Sequence, residues 1–155
     1  IGERLTTDMV DSWDAMGDIT NFDTLTEFWA WAENVDGDSI FRQLPPYPNA
    51  LETLHRLAPN HHILIISAKF EWALQDTFAW IADNEIPTRE VHITHAKWRV
   101  PCDVYLDDSP HQINELHEKR PDAVVCRFVR PWNDAVTGVR DVTSWDDFEV
   151  LVDRG

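Results

Sequence analysis

The run Val104-Tyr105-Leu106-Asp107-Asp108-Ser109-Pro110 constrains this chain more than any other. A short apolar stretch ends in two adjacent carboxylates, and Ser-Pro follows. Proline is pre-organised for the first turn of a helix, so the run predicts a buried strand that passes directly into a helix. In open parallel sheets, ligands bind beyond the carboxyl ends of the strands. Two acids there suit Mg²⁺, which takes a few carboxylates and completes its shell with water and phosphate oxygens. Successive strand side chains point to opposite faces. One acid is therefore expected on the metal and the other bonded to a neighbouring loop. An acidic turn that holds nothing is the alternative reading.

The rest of the chain alternates in the same way from Asn49 onward. Ala50, Leu51, Leu54 and Leu57 predict an amphipathic helix. His62-Ile63-Leu64-Ile65-Ile66-Ser67 is a continuous apolar run, the pattern of a strand buried on both faces. A helix is expected over 71–83, strands over 90–93 and 104–106, a helix over 110–118, and a last strand over 123–128. Ser144 caps a further helix. Strand–helix alternation predicts an α/β fold with a doubly wound parallel sheet.

Residues 1–44 differ: they read as helical and irregular, with no strand signal. Thr24-Leu25-Thr26-Glu27 fits a capping box, and Leu25, Phe28, Trp29 and Ala32 follow at helical spacing. Asp36-Gly37-Asp38 reads as a plain turn, since the remaining ligands of a calcium loop are missing. Pro45-Pro46-Tyr47-Pro48 is a stiff connector. The expected division is a helical region over 1–44 and an α/β core over 45–155.

Composition narrows the function. The 28 acidic residues outnumber the 13 basic ones, giving a net charge of −15. Such a field repels nucleic acid, and no basic stripe offsets it. No apolar run approaches the roughly 20 residues of a membrane span. The first residues form neither a signal nor a transit peptide, so a cytoplasmic setting is expected, and a homodimer is left open. Only three lysines accompany ten arginines. High acid with scarce lysine resembles the proteins of salt-loving microbes, in which screening relieves self-repulsion. Cys102 and Cys126 lie in or beside apolar runs and are expected to be reduced thiols.

Three strand ends would share one edge of a single parallel sheet. The first ends in Ser67, the second leads to Lys97, and the third ends in Asp107-Asp108. A hydroxyl donor, a cation and a metal-binding acid pair suit a phosphate monoester. Ser67 and Lys97 would bind its non-bridging oxygens, with the Ala68 backbone beside them.

Ser67, Lys97 and Asp107-Asp108, in that order, resemble the second, third and fourth motifs of the haloacid dehalogenase superfamily. The 5′(3′)-deoxyribonucleotidase branch and its bacterial and viral relatives are the closer likeness. Phe41-Arg42-Gln43-Leu44-Pro45-Pro46-Tyr47-Pro48-Asn49-Ala50 looks like that branch's link from helical cap to core. Ile65-Ile66-Ser67-Ala68-Lys69, Arg130-Pro131-Trp132-Asn133 and Ser144-Trp145 resemble further signatures of it. The resemblance implies a Rossmann-like core, a helical cap over 1–44, Mg²⁺ held by Asp107 and Asp108, and hydrolysis of nucleoside monophosphates through an aspartyl-phosphate. Phe22, Phe28, Trp29 and Trp31 would be candidates to stack on a base; packing within the cap is their other reading. The family begins with a strand ending in Asp-x-Asp-Gly, which supplies the nucleophile. Asp8, Asp11, Asp14 and Asp18 follow no apolar strand, so the nucleophile is expected upstream of Ile1 and the chain as it stands is expected to be inactive. A phosphatase of the same fold with another substrate, and a non-catalytic binding or structural module, are the competing functions.

Overall fold

A computed structural model describes residues 6–13, 15 and 20–154; Asp14 and Asp18 lie outside the described residues. In chain order it contains a 3-10 turn Thr7–Met9, then α1 (Leu25–Ala32), α2 (Ile40–Gln43), α3 (Ala50–Leu57), β1 (Leu64–Ser67), α4 (Leu74–Asp83) and β2 (Glu90–Ile93). A 3-10 turn Lys97–Arg99 leads to β3 (Val104–Asp107), α5 (Pro110–Lys119), β4 (Val124–Phe128), β5 (Arg140–Val142) and α6 (Trp145–Arg154). The fold is α/β with every strand pair parallel.

By contacts the chain divides into two compact units, Ile1–Trp29 with Pro101–Thr143, and Ala30–Val100 with Ser144–Gly155. The described strands form two sheets, one in each unit, rather than the single sheet expected: β1-β2, and β3-β4-β5. β1 and β2 are joined through α4, and Ser67 is the register partner of Ile93. β3 and β4 are joined through α5, and Asp107 is the register partner of Arg127.

Three helices, α1, α5 and α6, begin where side-chain caps place them. The Thr24 hydroxyl accepts from the Glu27 N–H at 3.2 Å, and the Glu27 carboxylate accepts from the Asp23 N–H at 3.0 Å. The capping box thus closes one residue further out than its usual pattern. Ser109 caps α5 with Pro110 in its first turn, and Ile113 and Leu116 on that helix are 1% exposed. The Ser144 hydroxyl accepts from the Asp147 N–H at 3.1 Å and opens α6. α3 and α6 meet through Arg56, whose guanidinium bonds Glu149 at 2.7 and 2.6 Å. At Asp36-Gly37 the chain turns through two residues of positive φ, and the Gly37 N–H donates to Asn34 Oδ1 at 3.0 Å.

Two expectations are corrected here. β1 is half-exposed at all four residues rather than buried on both faces. It has one hydrogen-bonded neighbour among the described strands. Ile65 and Ser67, on one face of it, line a cavity of about 360 Å³ walled by α3 and α4 side chains, among them Leu54 and Trp80. The strand buried most completely is β4, where Val125 to Phe128 are all buried. The second correction is β5, which extends the sheet beyond β4 although Arg140-Asp141-Val142 carries no apolar run. Only Val142 of the three is buried. Among the described residues no helix is long and apolar enough to cross a membrane.

Candidate active site

The acid pair sits where the sequence predicts it. Tyr105 and Asp107 alternate as the buried positions of β3, because strand side chains alternate between faces. Asp107, the last strand residue, is 8% exposed, and Asp108 is half-buried. Burying a carboxylate is costly unless it is hydrogen-bonded; Asp107 Oδ1 accepts the Ser109 N–H at 3.0 Å. Ser109 then begins α5, whose N-terminus favours negative charge nearby.

A second loop closes on this strand end. The Asp108 carbonyl accepts from Asn133 Nδ2 at 2.7 Å and from the Trp132 indole N–H at 3.2 Å. Asn133 Nδ2 also donates to the Phe128 carbonyl at 3.0 Å. Asn133 Oδ1 accepts from the Arg130 N–H at 3.1 Å and from Arg127 Nη1 at 3.2 Å. Both donors and both acceptor positions of the carboxamide are therefore used. Arg127 is 6% exposed, and its remaining reach is committed to Asp141, at 2.7 Å from Nε and 2.6 Å from Nη2. Those bonds raise the guanidinium's affinity for its proton and hold the Asp141 carboxyl below the ordinary range. Arg127 thus serves the scaffold of the site.

Neither Asn133 nor Arg127 was assigned a role from sequence. The signal was present for Arg127: an arginine inside the apolar run Ala123–Phe128 must find a buried partner. Asn133 was marked only as part of the signature Arg130-Pro131-Trp132-Asn133; its bond to the Asp108 carbonyl, 25 residues away, leaves no local trace.

In the other unit, Ser67 ends β1, and its carbonyl accepts the Thr94 N–H at 2.9 Å, tying it to the loop beyond β2. Lys97 opens the 3-10 turn on that same loop and is half-buried. Ala68 and Lys69 follow Ser67; the Lys69 ammonium lies 3.5 Å above the centre of the Phe41 ring, a cation–π contact. Ser67 and Lys97 thus stand at the carboxyl ends of adjacent parallel strands, as expected, while Asp107 and Asp108 belong to the first unit.

The aromatic candidates differ in surroundings. Phe28 is 4% exposed and meets Phe22 and Trp29 edge-on, with ring centres 5.7 and 4.9 Å away. That is the geometry of packed rings. Trp31 is 42% exposed.

Asp107 and Asp108 are the residues that could hold a divalent cation. Their chemistry fits Mg²⁺, for which one or two protein carboxylates suffice when water and phosphate oxygens fill the remaining positions. No cluster of three or more His, Cys, Asp or Glu side chains suited to a metal occurs among the described residues.

Two comparisons with known proteins bear on this site. The model of the family described as "5' nucleotidase, deoxy (Pyrimidine), cytosolic type C protein" matches residues 2–154. A protein of Oceanobacillus iheyensis named "Putative nucleotidase OB0422" is 25% identical over 128 residues, which cover 76% of this chain and 66% of that protein. The chain thus spans a little under two thirds of that relative's length.

Proposed function

The chain belongs to the 5′ nucleotidase, deoxy (pyrimidine), cytosolic type C family, and from that premise we propose that it is the larger part of a Mg²⁺-dependent phosphomonoester hydrolase acting on nucleoside or deoxynucleoside monophosphates. The observation that carries the reading is the acid pair at the carboxyl end of β3, with Asp107 bonded to its own loop and Asp108 half-buried beside it. A cap region over residues 1–44 is part of this proposal, although by contacts 1–29 group with 101–143 and 30–44 with the other unit.

Each group has a role in this reading. Asp107 and Asp108 hold Mg²⁺, which when bound neutralises charge on the phosphoryl group. Lys97 binds a non-bridging phosphate oxygen and stabilises the charge that accumulates there. The Ser67 hydroxyl and the Ala68 N–H donate to the others. The nucleophile is proposed to be an aspartate upstream of Ile1, as in the family's Asp-x-Asp strand; the described strands end in Ser67, Ile93, Asp107, Phe128 and Val142. Its carboxylate forms the bond to phosphorus as the ester oxygen leaves with a proton. Water then cleaves the aspartyl-phosphate and releases inorganic phosphate. Trp31, which is 42% exposed, is the aromatic side chain proposed to meet a base.

The test is phosphate release by the full-length protein from nucleoside 5′-monophosphates, their deoxy forms and a panel of sugar phosphates, with and without Mg²⁺. Mg²⁺-dependent release that is fastest on nucleotides is expected. A preference for sugar phosphates would overturn the nucleotide assignment, and no release from any ester would leave a non-catalytic module of the same fold. Residues 1–155 alone are expected to release nothing; turnover by them would show that an acid within this sequence is the nucleophile.

A further inference from the structure

The peptide unit between Asp108 and Ser109 is held at both of its polar ends. Its carbonyl takes two donors, Asn133 Nδ2 at 2.7 Å and Trp132 Nε1 at 3.2 Å. Its N–H is bonded at 3.0 Å to the carboxylate of Asp107. A peptide is a rigid plane, so whatever fixes the carbonyl also fixes the direction of the N–H on its far side. The loop 130–133 is therefore coupled, through one plane, to the oxygen of Asp107 that the N–H engages.

The loop itself is rigid. Asn133 is 7% exposed and its amide orientation is forced: two carbonyls face one end and two N–H groups face the other. Arg127 also bonds the Asn133 backbone carbonyl at 2.8 Å, while its other nitrogens grip Asp141. The chain of contacts runs from β5 through β4 and the loop to the end of β3, all within one unit.

We propose that Asn133 and Trp132 are positioning residues for the Asp107-Asp108 pair: they lock the Asp108–Ser109 peptide so that Asp107 presents one oxygen inward to Ser109 and the other to a bound cation. This rests on the reading of that pair as the Mg²⁺ site. Ligating groups are only as well placed as the contacts behind them, and losing such a contact typically costs about 10–100-fold in metal affinity. Asn133→Asp keeps the shape of the side chain but sets a carboxylate oxygen against the carbonyls of Asp108 and Phe128. Trp132→Phe keeps an aromatic ring but removes the indole N–H together with the second ring of the indole.

The experiment is calorimetric titration of Mg²⁺ into the full-length protein, with the melting temperature measured on the same samples. Asn133→Asp is expected to raise the Mg²⁺ Kd by about tenfold, and Trp132→Phe to raise it by less, with little loss of melting temperature. Gly138→Ala is the control for instability alone. Its new methyl would come within 2.7 Å of the His117 ring at a φ of +91°, so it should lower the melting temperature and leave Kd unchanged. If Asn133→Asp does not fold, Trp132→Phe carries the test. Unchanged Kd in every folded clamp variant, or an equal rise in Gly138→Ala, overturns the positioning role alone. Absence of Mg²⁺ binding in the wild-type protein overturns the metal reading and this inference with it.

Discussion

Arg127 and Asp141 stand at matched register on adjacent parallel strands, and the guanidinium grips both carboxylate oxygens. Through that grip Arg127 holds the Asp141 carboxyl below its ordinary value of 3.8. The unfolded chain then binds this proton more readily than the folded one. The pair's stabilisation is complete at pH values above the ordinary range and is lost as pH falls through the lowered value. Asp141→Ala is expected to cost roughly 1–2 kcal/mol at pH 7, because it strands one side of a buried guanidinium that water only partly reaches. The difference between variant and wild type should shrink as urea melts are taken from pH 7 down through the carboxylate range. A difference that does not change across the acid range would show that the pair acts by packing alone.

Lys97→Ala and Asp108→Asn should each lower turnover of the full-length protein by about 10²-fold or more, since a preorganised charge contact at a transition state contributes about 3–4 kcal/mol. Lys69→Ala should do far less: its ammonium is engaged with the Phe41 ring. Equal losses at the two lysines, measured as kcat at saturating substrate, would move the phosphate pocket towards Lys69.

Neither cysteine forms a disulfide. Cys126 is fully buried in β4, and burial pushes its thiol up to about 11, so almost none is thiolate at neutral pH. Cys102 is half-buried in the segment before β3. Iodoacetamide at pH 7.5 is expected to label Cys102 first, and Cys126 only after denaturant is added. Mass spectrometry of tryptic peptides decides; early labelling at Cys126 would mean that β4 opens readily.

A net charge of −15 repels itself across a Debye length of about 10 Å at 0.1 M salt and far less across about 3 Å at 1 M. The melting temperature should therefore rise between about 0.1 and 2 M KCl, and rise more than in a non-ionic osmolyte of matched osmolality. A flat or falling trend would remove the salt-adaptation reading while leaving the site untouched.

Much of this was legible in the sequence because local signals decided it. Ser109-Pro110 fixed the start of α5, the Ser144 hydroxyl that of α6, and the apolar run 104–106 the strand that delivers Asp107. β5 was not legible, because Arg140-Asp141-Val142 is held by what lies beside it: backbone pairing with β4 and the bond from Arg127 to Asp141. The half-exposure of β1 was hidden for a related reason. Hydrophobicity shows that Leu64–Ser67 is suited to burial, but the cover a strand receives comes from elements far away in sequence. Asn133 illustrates the same limit at the site, where its bond to the Asp108 carbonyl spans 25 residues and is invisible to a local window.

Arg56 and Glu149 lie 93 residues apart in the chain yet join α3 to α6 within one unit. A chain leaving the ribosome delivers its amino-terminal residues first, at about 5–20 residues per second. Arg56 therefore emerges roughly 5–20 s before its partner. By the end of that interval the segment 101–143, with its own three-stranded sheet, has emerged ahead of Ser144 and can begin to close on itself while the other unit still lacks its last helix. The order of emergence thus favours completion of the inserted sheet before the unit whose sequence flanks it. A nascent chain stalled short of Ser144 would present α3 without α6, a surface suited to capture by holdase chaperones.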